Sequence, residues 1–293
     1  MSSKPPATKD LAATALYTSA TWAWGKLAHA KLLDWTNARL VFRITNFFLW
    51  ITGKGGKLPY ALLHRHVLID RLLEQSGARR VVELAAGLSR RGVTMTADPS
   101  MSYVEVDQAG VFEVKRALLS RSAEGTNVLS RSNLVFVSAD VIHMSFDEVA
   151  PAGSTPLFVI AEGLLVYFGA DTQNALFRKI AAYLRANVGG SFVFDFVPAS
   201  EQPPPGAGSR FLDWLLAAFT RGAAFVRDKR TRDDIASTLL ACGFDEVEMI
   251  EPCNVAEARG LPFPNVRSQQ LVYWARIHAK PSPRAFLGKG KER

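Results

Sequence analysis

The sequence lacks several features by which whole classes of protein are recognised. It contains only two cysteines, Cys242 and Cys253, which form neither a disulfide framework nor a metal-ligand spacing. No signal peptide is evident, and the most apolar early stretch, residues 40–51, is about half the length that spans a bilayer. We therefore expect a cytoplasmic protein with no metal site and no stable membrane insertion.

The apolar stretch itself, LVFRITNFFLWI, is interrupted by Arg43. We interpret it as a buried helix or as part of a helical cap. A helix that lies on a membrane surface or closes over an apolar substrate stays open as an alternative.

The sequence also has little net positive charge outside its two ends. The net charge is +8, of which residues 280–293 contribute +4 and residues 1–10 contribute +1, which leaves about +3 for the rest of the chain. Nucleic-acid binding leaves a basic stripe on a folded face, whereas a basic tail with proline and glycine is typical of a solvated chain end. We expect no nucleic-acid partner.

What is present is a large apolar content, 48% of 293 residues, which suffices for a sizeable core. After Gly77, short apolar runs alternate with helix-like stretches, and continuous apolar runs are typical of parallel strands covered on both faces. The pattern predicts an α/β fold: a Rossmann-like, doubly wound and mostly parallel sheet whose last two strands form an antiparallel edge. The predicted strands are 80–86, 103–107, 134–138, 157–161, 191–197, 246–250 and 270–277.

The chain before Gly77 reads mainly as helices, including one from Tyr60 to Gln75 that follows a break at GKGGKLP. We expect an N-terminal helical cap over residues 1–76, a Rossmann-like domain over 77–279 and a flexible basic tail over 280–293. Further predictions are helices at 109–121, 171–187 and 231–242 and a surface loop at QPPPGAG, residues 202–208.

The ends of the predicted strands carry the chemistry. Ligands of open α/β sheets bind beyond the carboxyl ends of the strands, and the first strand ends in small residues around Gly87. Asp107 ends the second strand, 20 residues later, where an acid can accept both hydroxyls of a ribose. Dinucleotide enzymes and S-adenosylmethionine enzymes share this spacing. Ala85 and Arg90 replace two glycines of the G-x-G-x-x-G fingerprint that binds the pyrophosphate of a dinucleotide. A dinucleotide cofactor is therefore disfavoured.

A hydrolase is a further alternative, because Ser89 stands where a strand turns into a helix. A nucleophile elbow has the pattern G-x-S-x-G, but Arg91 occupies the second glycine position and Gly92 comes one residue too late. We favour a helix-capping role for Ser89.

Four sequence blocks together resemble the leucine carboxyl methyltransferase-like family. They are VVELAAGLSRRG, YVEVDQAGVFEVKRALL, SADV and IAEGLLVYF, and they occur in the family's order within residues 60–278. The family contains protein C-terminal carboxyl methyltransferases and small-molecule O-methyltransferases. The resemblance implies a Rossmann-like domain that binds S-adenosyl-L-methionine, preceded by a variable helical cap.

The resemblance also implies roles for individual residues. Arg65 matches an arginine of the family that pairs with the cofactor's carboxylate. Gly87 matches a glycine that lies beside the methionyl part of the cofactor, and Asp107 matches the acid that binds the ribose. Asp140 and Val141 match the pair around the adenine, and Glu162 matches an E-G motif near the methionyl end and the substrate mouth. The full expected cofactor site is Arg65, Glu83, Ala85, Gly87, Asp107, Gln108, Asp140, Val141 and Glu162.

The match to the family has two departures: Ala85 replaces the usual first glycine, and Ser89 replaces a common aspartate. No catalytic residue is assigned; Glu162, Tyr167 and His143 are candidates.

The resulting expectation is an S-adenosylmethionine-dependent O-methyltransferase. Its acceptor would be a carboxylate or hydroxyl of a small molecule such as a secondary metabolite. The alternatives are a protein C-terminal carboxyl methyltransferase, a cofactor-binding protein without catalysis and, more distantly, a serine hydrolase with Ser89 as nucleophile. The sequence does not indicate the oligomeric state.

Overall fold

A computed structural model describes residues 13–51, 57–199, 228–254 and 270–279. The predicted surface loop at 202–208, the basic tail and most of the GKGGKLP break lie outside the described residues. Seven strands within these ranges form one sheet. They are β1 (Arg80–Leu84), β2 (Ser102–Asp107), β3 (Leu134–Ser138), β4 (Leu157–Ala161), β5 (Gly190–Phe196), β6 (Glu246–Ile250) and β7 (Leu271–Ile277).

The sheet has the strand order β3-β2-β1-β4-β5-β7-β6. Strands β1 to β5 run parallel to one another, whereas β7 runs antiparallel to both β5 and β6. All seven predicted strands are present, and the predicted antiparallel edge is confirmed. The α/β prediction, with its mostly parallel sheet, is therefore confirmed as well.

The central strands are apolar along their whole length because both faces of the sheet are covered. In β4, Val159 belongs to one hydrophobic cluster while its neighbours Phe158 and Ile160 belong to another. Val81 and Val82 of β1 divide between the clusters in the same way. Successive side chains of a strand point to opposite faces, so each face receives its own core.

Helices connect the strands and cover the two faces of the sheet. The helices predicted at 109–121, 171–187 and 231–242 are present, with ends that differ by at most two residues. Within the described ranges, the α-helices after β1 are α4 (Arg91–Met95), α5 (Ala109–Leu119), α6 (Ala123–Leu129), α7 (Phe146–Val149), α8 (Ala170–Ala186) and α9 (Arg232–Ala241).

In the described part of the chain, three α-helices precede the sheet: α1 (Ala13–Trp24), α2 (Thr36–Ile51) and α3 (Lys57–Ser76). α1 contacts α2, since the Tyr17 ring stacks on Phe42 and the Tyr17 hydroxyl donates to Asn46 at 3.1 Å. α1 also contacts α3, where the Trp22 and His66 rings stack with centroids 4.3 Å apart. These contacts place α1 between α2 and the sheet-covering helix α3.

The apolar stretch at 40–51 forms most of α2, but the expectation that it is buried holds for one side only. Ala38, Thr45 and Leu49 are buried, while Phe47 and Trp50 are exposed. Across the described ranges, the structure contains no helix with the length and apolarity that a bilayer crossing requires.

Candidate functional site

The candidate site lies at the carboxyl ends of β1, β2, β3 and β4. Because these strands are parallel and adjacent, their ends meet at one edge of the sheet. This edge carries the loop after β1, Asp107 at the end of β2, Asp140 after β3 and Glu162 after β4. The structure therefore places these four predicted segments at one edge of the sheet.

The loop after β1 turns through two residues with left-handed backbone. Ala85 has φ +51° and Gly87 has φ +53°. Glycine adopts this conformation at little cost, whereas alanine meets a steric penalty. The departure of Ala85 from the family's glycine thus falls on a strained position.

Asp107 holds this loop from the neighbouring strand. Its Oδ2 accepts from the Gly87 N–H at 2.6 Å, and its Oδ1 accepts from the Gln108 N–H at 2.7 Å. Burial raises the pKa of the Asp107 carboxyl, and these two backbone hydrogen bonds act in the opposite direction. Gln108 itself is exposed at the start of α5.

Arg65 lies buried on α3 between two carboxylates. Its Nε donates to Glu162 Oε1 at 3.0 Å and its Nη1 donates to Asp195 Oδ2 at 2.9 Å. Burial lowers the pKa of Arg65, but the two acids outweigh it and raise the pKa overall. Among the described residues, its Nη2 has no hydrogen-bond partner; it lies 3.7 Å from the position that a Cβ on Gly163 would take.

Asp195 is a member of this site that the sequence reading missed. It is fully buried in β5, and its Oδ1 accepts from the Gly163 N–H at 2.5 Å while Oδ2 accepts from Arg65. It therefore fixes the backbone of the E-G motif as well as the guanidinium. A signal was available: Asp195 is the single acid within the apolar run SFVFDFV.

A second buried arginine, Arg91, joins three acids beneath the edge. Its Nε donates to Asp70 Oδ1 at 2.7 Å, its Nη2 donates to Glu162 Oε2 at 2.7 Å, and its Nη1 donates to Glu83. Since Tyr103 donates to the other oxygen of Glu83 at 2.7 Å, both oxygens of that carboxylate are occupied. This geometry explains why arginine stands where a nucleophile elbow would need glycine.

His66 also belongs to this buried cluster, and the sequence reading missed it. Its Nδ1 lies 2.8 Å from Glu162 Oε2 and 3.0 Å from Arg91 Nη2. Burial lowers the pKa of His66 to about 3, which outweighs the opposing effect of Glu162. At neutral pH the ring is therefore uncharged.

Four more of the predicted residues follow the carboxyl ends of β3 and β4. Asp140 is exposed and its Oδ2 lies 2.8 Å from Nδ1 of His143, whose side chain is 81% exposed. Val141, the next residue after Asp140, is buried. The Tyr167 hydroxyl lies 3.4 Å from Thr14 Oγ1, so the segment after β4 contacts α1.

Ser89 is buried at the start of α4, and its Oγ accepts from the Arg91 N–H at 3.2 Å. Its carbonyl accepts from Lys115 Nζ at 2.6 Å, and Lys115 also pairs with buried Glu105. In the described part of the chain, the hydroxyl makes no hydrogen bond to a histidine. Ser89 thus stabilises the beginning of the helix, although Arg90 occupies the capping position itself.

The fold is that of Rossmann-like S-adenosylmethionine-dependent methyltransferases. The structure of one such enzyme, SibL in its apo form, is similar with a TM-score of 0.50 and 18% identity, and the match covers 75% of this chain and 56% of that chain. The methyltransferase domain of bacterial CtHen1-C matches with a TM-score of 0.50 and 12% identity over 74% of this chain and 98% of that chain.

The chain belongs to the leucine carboxyl methyltransferase family, whose sequence profile matches residues 5–181. A protein of Mycobacterium bovis described as an S-adenosyl-L-methionine-dependent methyltransferase is 29% identical over 189 residues, 60% of this chain and 54% of the relative. A protein of Mycolicibacterium gilvum with the same description is 35% identical over 108 residues, 36% of this chain and 34% of the relative. The chain thus matches about half the length of the first relative. The family resemblance read from the four sequence blocks is confirmed.

Proposed function

We propose that the protein is an S-adenosylmethionine-dependent O-methyltransferase that methylates a small molecule, in the cytoplasm. Family membership and the two mycobacterial relatives support the cofactor and the reaction class. With only two cysteines and no disulfide framework, the composition fits a reducing compartment. In this proposal, the helices within residues 1–76 form a cap over the domain that spans residues 77–279.

The residues at the sheet edge fit the cofactor. The Nη2 of Arg65 offers a charged donor for a carboxylate at the mouth of the site. Asp107 combines a partly buried carboxylate with a position at the end of β2, where a ribose would be bound. Asp140 and Val141 lie on the next strand end, where we place the adenine.

The charge of the buried cluster also fits. With His66 neutral, the cluster contains three guanidinium groups and four carboxylates and therefore carries one net negative charge. S-adenosylmethionine has a sulfonium, an ammonium and one carboxylate, so it brings one positive charge in excess. The charged members of the cluster are Arg65, Arg90, Arg91, Asp70, Glu83, Glu162 and Asp195.

The cofactor's sulfonium supplies the electrophilic methyl group, so the chain's task is to orient the partners and exclude water. The Arg65–Asp195–Gly163 contacts hold the backbone after β4, and the Asp107–Gly87 contact holds the loop after β1. The contact between Tyr167 and Thr14 joins the segment after β4 to α1.

The observation that favours a carboxylate acceptor is that the neighbouring histidines are poorly suited to act as a base. His66 is buried, engaged by Glu162 and Arg91, and has a pKa lowered to about 3. His143 lies outside the buried part of the site, since its side chain is 81% exposed. Burial raises the pKa of Tyr167, which keeps its hydroxyl protonated. A carboxylate is already ionised at neutral pH and needs no base, whereas an alcohol does.

A methyl-transfer screen tests this proposal. The purified protein is incubated with isotope-labelled S-adenosylmethionine and matched carboxylic acids, phenols and alcohols, and products are identified by mass spectrometry. We expect labelled methyl esters, with Arg65→Met impaired and the surface variant Arg79→Met unaffected. Transfer to alcohols alone would overturn the carboxylate preference, and NAD binding as tight as that of S-adenosylhomocysteine would overturn the cofactor assignment.

A protein C-terminal carboxyl group is the second candidate acceptor, because the matching family is described as leucine carboxyl methyltransferase. A peptide that ends in a free leucine carboxylate and its amidated twin separate the two candidates. Methylation of the free peptide in preference to every small acid would favour the protein substrate.

A further inference from the structure

Helix α2 exposes an apolar stripe on the side opposite its buried residues. Leu40, Ile44, Phe47 and Ile51 follow one another at intervals of four, three and four residues and therefore share one face. They are 56%, 40%, 57% and 58% exposed. Six of the ten large apolar side chains that are exposed within the described ranges belong to this one helix. Such a concentration marks an interaction surface.

Helix α2 itself carries charge of one sign. Thr36–Ile51 contains no acidic residue, whereas Arg39 and Arg43 follow one border of the stripe at a spacing of four residues. Arg43 is exposed, and Arg39 is exposed beside its partner Asp34. Trp50, 72% exposed, lies near the C-terminal end on the same border.

We propose that α2 is a docking helix for the surface of an anionic lipid membrane. The stripe would enter the boundary between headgroups and acyl chains, Arg39 and Arg43 would contact the lipid phosphates, and Trp50 would lie at the headgroup level. A helix with an apolar face, arginines beside it and an aromatic residue at the boundary has the features of an interfacial helix. With 16 residues and two arginines, α2 is too short and too charged to cross a bilayer, so it would lie on the membrane surface.

Charge favours this partner over a second copy of the chain. In a symmetric antiparallel contact through the stripe, the border of α2 that carries Arg39 and Arg43 would face the same border of the second copy. That border of α2 has no acid to offer, and like charges oppose each other. An anionic headgroup layer neutralises both arginines. Docking on a membrane needs neither cofactor nor methyl acceptor. A failure of this proposal would therefore leave the proposed function untouched, and the reverse holds as well.

Sedimentation of the full chain with lipid vesicles tests the proposal. The vesicles contain phosphatidylcholine alone or phosphatidylcholine with phosphatidylglycerol, at low and high salt. We expect binding to the anionic vesicles that weakens with salt. Phe47→Ser should weaken it about tenfold, since one buried phenylalanine contributes on that scale. Arg39→Gln/Arg43→Gln should abolish the preference for anionic lipid.

Matched controls use exposed residues elsewhere. Leu240→Ser removes a similarly exposed apolar side chain from α9, and Arg79→Gln removes a surface arginine. Both should bind vesicles like the unaltered protein. Circular dichroism melting and light scattering accompany each variant to show that the fold and the oligomeric state persist.

Three results would overturn the proposal. The first is an unaltered protein that fails to bind anionic vesicles. The second is equal weakening by Phe47→Ser and Leu240→Ser. The third is a Phe47→Ser variant that dissociates an oligomer or melts at a clearly lower temperature without losing vesicle binding, because the stripe would then be covered by protein.

Discussion

The backbone N–H of Gly87 donates to the carboxylate of Asp107 across 20 residues of sequence, at 2.6 Å. The bond joins the loop after β1 to the end of β2, and it uses one oxygen of the acid to which we assign ribose binding. Asp107 therefore has two tasks: it holds the left-handed turn at Gly87 and presents a carboxylate at the sheet edge.

The first prediction concerns this pair. Asp107→Ala removes a charged acceptor, so S-adenosylhomocysteine affinity should fall by about 1.5–3 kcal/mol, measured by calorimetry. Asp107→Asn retains the shape and one acceptor oxygen and should lose less. The surface variant Asp98→Ala should bind like the unaltered protein. Equal affinity in a folded Asp107→Ala variant would refute the ribose assignment.

The second prediction concerns Arg91, which neutralises three buried acids. Arg91→Met leaves Asp70, Glu83 and Glu162 without that partner and should cost about 3–5 kcal/mol of unfolding free energy. Arg79→Met breaks an exposed pair with Asp98 and should leave the unfolding free energy nearly unchanged. Urea unfolding measures both. Similar losses would show that burial of the arginine matters little.

The third prediction concerns the strained backbone of Ala85. Ala85→Gly removes the steric penalty of φ +51°, which should raise the unfolding free energy by about 1 kcal/mol. The larger conformational entropy of glycine in the unfolded chain offsets part of this gain. Its neighbour Ala86 has no positive φ, so Ala86→Gly should lower stability by about 0.5–1 kcal/mol. Thermal and urea unfolding distinguish them, and a loss of equal size in both variants would contradict the strain.

The fourth prediction concerns His66. Its folded-state pKa, about 3, lies below its unfolded value, so between pH 6.5 and 3 the unfolded chain binds more protons. The unfolding free energy should therefore fall as pH drops below 6.5, by up to about 1.4 kcal/mol per pH unit from this residue. His66→Gln should flatten the slope between pH 6.5 and 5, and the exposed control His278→Gln should not. Identical slopes in His66→Gln and the unaltered protein would exclude the effect.

Much of the fold follows from local sequence patterns. Runs such as LFVIA predict strands covered on both faces, because each residue of β4 enters one of the two cores. The positions of Gly87 and Asp107 at strand ends follow from the same runs. Parallel neighbours then bring these ends together without further information.

The partners of the buried charges did not follow from local patterns. Arg65 pairs with Asp195, which lies 130 residues away, and Arg91 draws its acids from α3, β1 and the loop after β4. A charged residue within an apolar run signals that a partner must exist, because an isolated buried charge is prohibitively costly. The identity of that partner depends on which elements pack together.

The sequence by itself determined the strands, their parallel character, the family and the residues at the strand ends, because periodicity and strand-end chemistry are local properties of the chain. Tertiary structure alone decided that Glu83 is occupied by Arg91 and Tyr103, that His66 is held neutral, and that α2 keeps one apolar side in solvent. Each of these depends on burial and on contacts between distant segments. An apolar residue carries the same letter whether a neighbouring helix covers it or not.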